Sequence, residues 1–235
     1  GGTEYGIVAE LLHEFRRHNA DTSYEPIVGS GANSCILHYR ENDQPLVDGD
    51  LLLVDAGCEV GCYASDITRT WPVNGRYSPA QREVYDIVLD AQLAAIAQVY
   101  PGNHWNAPHD AAVEVVTRGL VRAGLLKGKV SGLVKDGAYR KFFMHRTGHW
   151  LGLDVHDVGD YKVGDEWRVL EPGMAMTIEP GIYIPAGTKG VPKRYANIGI
   201  RIEDDVVVTR DGCEVLTDGV PKDADEIEAL MHAGE

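Results

Sequence analysis

The sequence predicts an α+β fold, and three observations carry that expectation. Long segments with apolar residues at helical spacing are mixed with short, β-rich pieces rather than alternating one for one with them. No low-complexity stretch or linker divides the 235 residues, so residues 1–235 read as one domain. There is also an internal echo: Gly49, Asp55 and Gly57 of "DGDLLLVDAG" recur at matching spacing as Gly173, Glu179 and Gly181 of "EPGMAMTIEPG". Two buried strands can look alike by chance. The alternative is a duplicated unit whose halves each bring acids to a shared site.

Taken in order, "TEYGIVAELLHEFRRHNA" places Ile7, Val8, Leu11, Leu12 and Phe15 on one helical face, with Thr3 as N-cap. "SPAQREVYDIVLDAQLAAIAQVYPG" is the clearest helix. Ser78 caps it, Pro79 suits the first turn, Gln81 completes a capping box, and Pro101-Gly102 is expected to stop it. A third helix is expected from Pro108 to Ala123, ended by Gly124. The β-rich pieces are "CILHY", "DLLLVDAG", "CYASDITRTW", "GLDVHDV", "AMTIEPGIYI" and "GIRIEDDVVVT".

Composition excludes some partners. A formal charge of −14 opposes a nucleic-acid backbone, which needs a basic footprint. The longest apolar run, "LLLVDAG", falls far short of the roughly 20 residues that cross a bilayer, so no membrane span is expected. Cys35, Cys58, Cys62 and Cys213 form no C-x-x-C pair and read as reduced thiols. No basic, apolar leader is recognisable, and the expected location is the cytoplasm.

The chemistry gathers around acids that close strands. A tight turn at Val60-Gly61 would set Asp55 directly opposite Asp66, with Cβ atoms about 5 Å apart. Such a pair repels strongly unless one carboxyl is protonated or a cation lies between them. Glu179 ends "AMTIE", and Arg201 and Glu203 share a face of "IGIRIE" by alternation. In "HRTGHWLGLDVHD", His145, His149 and His156 supply nitrogen, and His38 ends "CILHY". Arg146 stands where a zinc-protease helix would need Glu, and the glycines disfavour a helix there. By alternation in "GLDVHDV", Asp154 and His156 should share a face. Four carboxylates and an imidazole, without thiolate, suit Mn²⁺, Mg²⁺, Fe²⁺ or Co²⁺, and their charge matches two divalent ions. There is no G-x-S-x-G and no Gly-rich phosphate loop.

At these residues the sequence resembles the pita-bread metallopeptidases, and within them the Xaa-Pro aminopeptidases. The matching segments are "IVGSGANSCILHY", "DAGCEVGCYASDITRTWPVNG", "HWLGLDVHDVG", "LEPGMAMTIEPGIYI" and "IGIRIEDDVVVT". The resemblance implies two pseudo-symmetric αβ halves around a curved, mainly antiparallel sheet. It implies five metal ligands, Asp55, Asp66, His149, Glu179 and Glu203, with Asp66 and Glu203 bridging two ions. The ions are expected to be Mn²⁺, with Co²⁺, Fe²⁺ or Zn²⁺ as alternatives. Glu179 would handle the proton of the attacking water, His156 would assist the scissile carbonyl, and His38 and His145 would line the substrate pocket. Arg201 would support the site through Asp55 or Glu203.

The implied reaction releases the N-terminal residue from peptides whose second residue is proline, through a hydroxide bridging the two metals. Related enzymes carry an N-terminal domain before the catalytic one, and that domain is expected to be missing from this chain. The intact protein would be free to form a homo-oligomer. The alternatives are a prolidase or methionine aminopeptidase with the same metal site, and a non-catalytic peptide-binding module of the same fold. One departure concerns Arg146, where similar enzymes carry small residues.

Overall fold

In the computed structural model, which describes residues 2–233, the chain opens with helix α1 (Glu4–Arg17). Thr3 caps it by accepting the Gly6 N–H. Ile7, Val8, Leu11 and Phe15 pack on Val28, Leu52, Val54 and Ala56. Leu12, expected on this face, is 39% exposed, because at about 100° per residue it falls roughly a quarter-turn from the centre of the stripe.

Strands β1 (Asp21–Thr22) and β2 (Ile27–Ser30) follow. "CILHY" is not a strand: a 3-10 turn over Gly31–Cys35 runs into a loop. The Ser34 hydroxyl donates to the Gly31 carbonyl and accepts the Gly199 N–H, so local bonds replace a ladder. The loop is tied down by Glu4, whose fully buried carboxylate accepts the Ser30 and Gln44 N–H groups, the Asn33 amide and the Tyr39 hydroxyl at 2.7–3.0 Å. That carboxylate fixes the segment carrying His38.

Strands β3 (Leu51–Ala56), β4 (Cys58–Val60), β5 (Tyr63–Ala64) and β6 (Ile67–Pro72) form one long hairpin. Its turn is Gly61-Cys62, both at positive φ (59° and 70°), as a two-residue type I′ turn demands. The turn therefore lies one residue later than the sequence suggested, and Asp55 pairs with Thr68 rather than Asp66. Because the shift keeps the parity, Asp66 stays on the Asp55 face, diagonal to it instead of opposite.

Helix α2 (Pro79–Ile96) carries the complete Ser78–Gln81 capping box. It ends before Pro101, since the N–H groups of Gln98 and Val99 bond three residues back and tighten the chain out of the α-helix. Helix α3 (Ala107–Arg122) is followed by Gly124 at φ +74°, and the short α4 spans Val130–Lys135. "GLDVHDV" is a closed loop rather than a strand. Gly152 donates to the Asp154 carbonyl and Asp157 to the Trp150 carbonyl, so the shared face expected for Asp154 and His156 does not exist.

Strands β7 (Lys162–Val163) and β8 (Glu166–Trp167) make a small hairpin. A second long hairpin then comprises β9 (Ala175–Ile178), β10 (Gly181–Ile184), β11 (Ile198–Arg201) and β12 (Asp204–Val208), with β13 (Cys213–Val215) beside β12. Helix α5 (Ala224–His232) closes the described chain.

The main core packs Val84, Ile87 and Val88 of α2 and Val116 and Leu120 of α3 with Ile178, Ile182, Ile200 and Val206. Burying each such side chain contributes about 1.5–3 kcal/mol. The two hairpins meet at an antiparallel bridge between Thr68 and Glu203. All four cysteines are free thiols. Among the described residues no helix is long and apolar enough to cross a membrane.

Candidate metal centre

Each hairpin keeps one register along its length but interrupts its ladder by two residues on either strand. In the first the interruption is Gly57-Cys58 facing Ser65-Asp66, and in the second Glu179-Pro180 facing Ile202-Glu203. Backbone groups freed there bond across the halves. The Asp66 N–H donates to the Asp205 carboxylate (3.0 Å) and the Glu203 N–H to the Thr68 carbonyl (3.0 Å). Acids from both halves are thereby held face to face at the junction.

All nine side chains singled out in the sequence line one cavity of about 240 Å³. They are Asp55, Asp66, His149, Glu179, Glu203, His38, His145, His156 and Arg201. Within it, ligand atoms of Asp66, His149 and Glu203 all lie within 4.8 Å of one another. His149 Nε2 is 3.2 Å from Asp66 Oδ2 and 3.7 Å from Glu179 Oε1. Its Nδ1 lies 2.9 Å from the Trp150 carbonyl, an acceptor, so Nδ1 carries a proton and Nε2 is the nitrogen that faces the carboxylates. The His156 ring stands edge-on to His149 at 4.4 Å between centroids.

Each of the three side-chain nitrogens of Arg201 bonds within the site. It donates to Asp55 Oδ2 (2.5 Å), Thr68 Oγ1 (3.1 Å) and the Tyr183 hydroxyl (2.9 Å). Its Nε lies 4.0 Å from Glu203, so its close partner is Asp55. The Tyr183 hydroxyl donates to His145 Nε2 (2.9 Å), and His145 Nδ1 donates to the Arg146 carbonyl (2.6 Å). Both ring nitrogens are thus engaged with a neutral imidazole. Burial, helped by the Arg201 charge, holds His145 down at about 3.

Sequence reasoning missed Tyr24, Thr68 and Tyr183. The Tyr24 hydroxyl lies 2.5 Å from both Asp55 Oδ1 and Asp66 Oδ1 and links two acids that the register leaves diagonal. Thr68 donates to Glu203 Oε2 at 2.5 Å. No local motif marks Tyr24. The pairing of β1 with β4, Thr22 beside Cys58, brings it to the site, together with the bonds that Ser23 makes to Gly57 and Ser65.

The electrostatics show a site with too much negative charge for protein alone. Burial, then the neighbouring carboxylates Asp66, Glu179 and Asp55, pushes Glu203 well above the glutamate range. Burial lifts Glu179 to about 7 against the pull of His149 and Arg201. Burial raises Asp55 although Arg201 opposes it. Burial disfavours charge on His149 as well, yet Asp66 and Glu179 outweigh it and raise the imidazole to about 9. Three buried carboxylates, the half-buried Glu179 and one imidazole, all lining a single cavity, are the donor set of hard divalent cations, and they fit such ions.

The profile of metallopeptidase family M24 matches residues 1–210. The Xaa-Pro aminopeptidase of Haemophilus influenzae is 54% identical over 230 residues, which is 97% of this chain and 53% of that protein. That of Escherichia coli is 53% identical over 234 residues, 99% of this chain and 53% of its own length. Among solved structures, Pseudomonas aeruginosa aminopeptidase PepP matches with a TM-score of 0.98 at 62% identity, covering 99% of this chain and 53% of that one. Escherichia coli aminopeptidase P with the inhibitor Pro-Leu matches with a TM-score of 0.96 at 53% identity, with the same coverage. The chain thus spans about half the length of the curated relatives it matches. Its fold is the pita-bread fold of these enzymes. With a profile match over most of its length and an acid-rich centre of the kind divalent metals need, the chain belongs to metallopeptidase family M24.

Proposed function

We propose that this chain is the catalytic part of an aminopeptidase that releases the N-terminal residue from peptides with proline in second position. The observation that carries the reading is the convergence of Asp55, Asp66, His149, Glu179 and Glu203 on one cavity in a chain more than half identical to Xaa-Pro aminopeptidases. Asp55, Asp66, His149, Glu179 and Glu203 would hold two divalent cations, Mn²⁺ first among them, with Asp66 and Glu203 shared between the pair. When bound, such ions acidify a water at neutral pH and polarise a carbonyl.

The remaining work belongs to the side chains. Glu179, whose Oε2 is 3.7 Å from His145 Nδ1, is the group placed to take and return a proton. His156, edge-on to His149 at the cavity wall, is placed to donate to the carbonyl oxygen as it gains charge. His38 and His145 shape the pocket for a ring whose nitrogen has no hydrogen to offer. Arg201 holds Asp55 in place.

The test is a metal-stripped protein reloaded with defined ions. Restored cleavage of an Xaa-Pro-Yaa tripeptide by Mn²⁺ supports the proposal. A preference for Xaa-Pro dipeptides moves it to prolidase, and no cleavage of either overturns it.

A further inference from the structure

Arg201 spends its donors inside the site, but a second arginine on the same cavity does not. Arg146 lines the cavity next to His145 and Gly148. Its guanidinium bonds one side-chain oxygen, Asn106 Oδ1, and lies 5.2 Å from the Trp167 ring centre. Among the described residues, no carboxylate comes within ion-pair distance of it, in a chain with 36 acids against 22 lysines and arginines. A guanidinium carries five N–H donors in a rigid fork, so most of its hydrogen-bonding capacity is unspent.

Its mounting is firm. Asn106 is itself held by Asp110, to which its amide donates at 2.7 Å, and the Trp167 indole provides a flat support. Lys162 Nζ lies 4.6 Å from the same ring centre. Two cations therefore flank one indole, and one of them, Arg146, lines the cavity that holds the carboxylates. The Arg146 carbonyl is 2.6 Å from His145 Nδ1, which is 3.7 Å from Glu179, so the backbone of this residue borders the acids. Its side chain leads away from them to Asn106 and Trp167, a distance that a peptide advancing roughly 3.3–3.6 Å per extended residue covers in a few residues.

We infer that Arg146 is a specificity-determining residue that binds a carboxylate on the third residue of the peptide. This rests on the aminopeptidase reading above. In that reading the peptide amine and the bond to be cut lie among the acids, and the two residues beyond the cut lead out toward Arg146. A carboxylate there has two sources, the C-terminus of a tripeptide or an acidic side chain in a longer peptide. Either would meet the guanidinium fork in a charge-assisted, two-pronged geometry.

The experiment uses Mn²⁺-loaded protein and four peptides: Xaa-Pro-Leu as acid and as amide, and Xaa-Pro-Glu-amide against Xaa-Pro-Gln-amide. The wild type should show a KM about tenfold lower for each carboxylate-bearing member, the worth of one charge-assisted hydrogen bond at a partly exposed site, with kcat little changed. In Arg146→Met the members of each pair should converge, and Arg146→Lys should keep part of the difference. A preference in the first pair alone assigns the C-terminus, and one in the second pair alone the side chain. Equal KM values in the wild type, or a preference that survives in Arg146→Met, overturn the inference. If the wild type cuts none of the four, the aminopeptidase reading fails. Calorimetric binding of prolyl-leucine against its amide then decides on Arg146, whose assignment falls if the two bind alike.

Discussion

The two hairpins that meet at the metal centre are built to one plan and finished differently. Each begins after a glycine at strongly positive φ, Gly49 at +87° and Gly173 at +94°, and each runs a strand to an acid, Asp55 or Glu179. Each then skips two residues on both strands and resumes in the same register. In the second hairpin both interrupted strands carry an acid, Glu179 and Glu203, so the register itself puts them face to face. In the first, Thr68 stands opposite Asp55, and the second acid, Asp66, sits two residues away. Tyr24 spans that offset, and Thr68 instead serves Glu203 of the other half. A duplicated scaffold explains the shared register. The difference shows that the acids are distributed over the combined site rather than copied half by half.

The largest expected effect comes from removing an acid that both halves share. Asp66→Ala should lower the Mn²⁺ stoichiometry from the proposed two and reduce kcat by more than the roughly 10–100-fold lost when a residue only orients a ligand. Unchanged stoichiometry by metal analysis would sink the bridging role. Next come the glycines at the interruptions. A Cβ on Gly57 would lie 1.7 Å from the Ser65 carbonyl oxygen, backbone against backbone, so Gly57→Ala should cost at least about 3 kcal/mol. On Gly181 the nearest atoms are the Tyr183 hydroxyl at 2.5 Å, held by Arg201 and His145, and the Ile200 carbonyl oxygen at 2.9 Å; both clashes are milder than the one at Gly57, and about 1–3 kcal/mol is expected. Denaturant unfolding that ranks Gly181→Ala as the more damaging would break the comparison at its hinge.

Tyr24→Phe tests the finish of the first half. It removes the hydroxyl between Asp55 and Asp66 and should weaken Mn²⁺ binding by about 10–100-fold while the fold survives, read by calorimetry. The same titration carries a pH signature. In the metal-free protein Glu179 is raised from 4.5 to about 7 and His149 from 6.5 to about 9. Both groups bind protons more tightly when folded. Their contribution to stability is therefore full below the ordinary values and is lost as pH rises, through about 7 for Glu179 and about 9 for His149. Mn²⁺ must displace those protons, so its affinity should climb over the same window with measurable proton release. Flat affinity between pH 6 and 9 would mean that neither group is a ligand.

Much of this was legible in the sequence where the cause is local. The Ser78–Gln81 box and the Thr3 cap need only neighbours three residues away, and both formed. The acid-closing strands were visible because glycine and an apolar run frame each one. What lay hidden depends on distant partners. Tyr24 meets acids 31 and 42 residues away, and the fully buried Glu4 gathers donors up to 40 residues off. Alternation misled in "GLDVHDV", where bonds across the loop replace a ladder. The first turn misled because a type I′ turn accepted Cys62 at positive φ, a conformation that residue type does not advertise.

The smallest expected effect probes the plan at its origin. A Cβ on Gly49 or on Gly173 would touch nothing within 4 Å, so alanine at either site would meet only the backbone penalty of positive φ. That penalty is about 1–2 kcal/mol, offset in part by the lower chain entropy of the unfolded alanine variant. Because the two φ values differ by little and neither site has a packing contribution, the two costs should agree within about 0.5 kcal/mol and add in the double variant. Each should lower Tm by a few degrees, at about 2–4 °C per kcal/mol for a chain of this size. Equal and additive losses would mean that the two turns do the same mechanical work, starting a strand so that its acid arrives at the junction. A several-fold inequality would place extra strain or support at one of them and confine the likeness of the halves to their ladders.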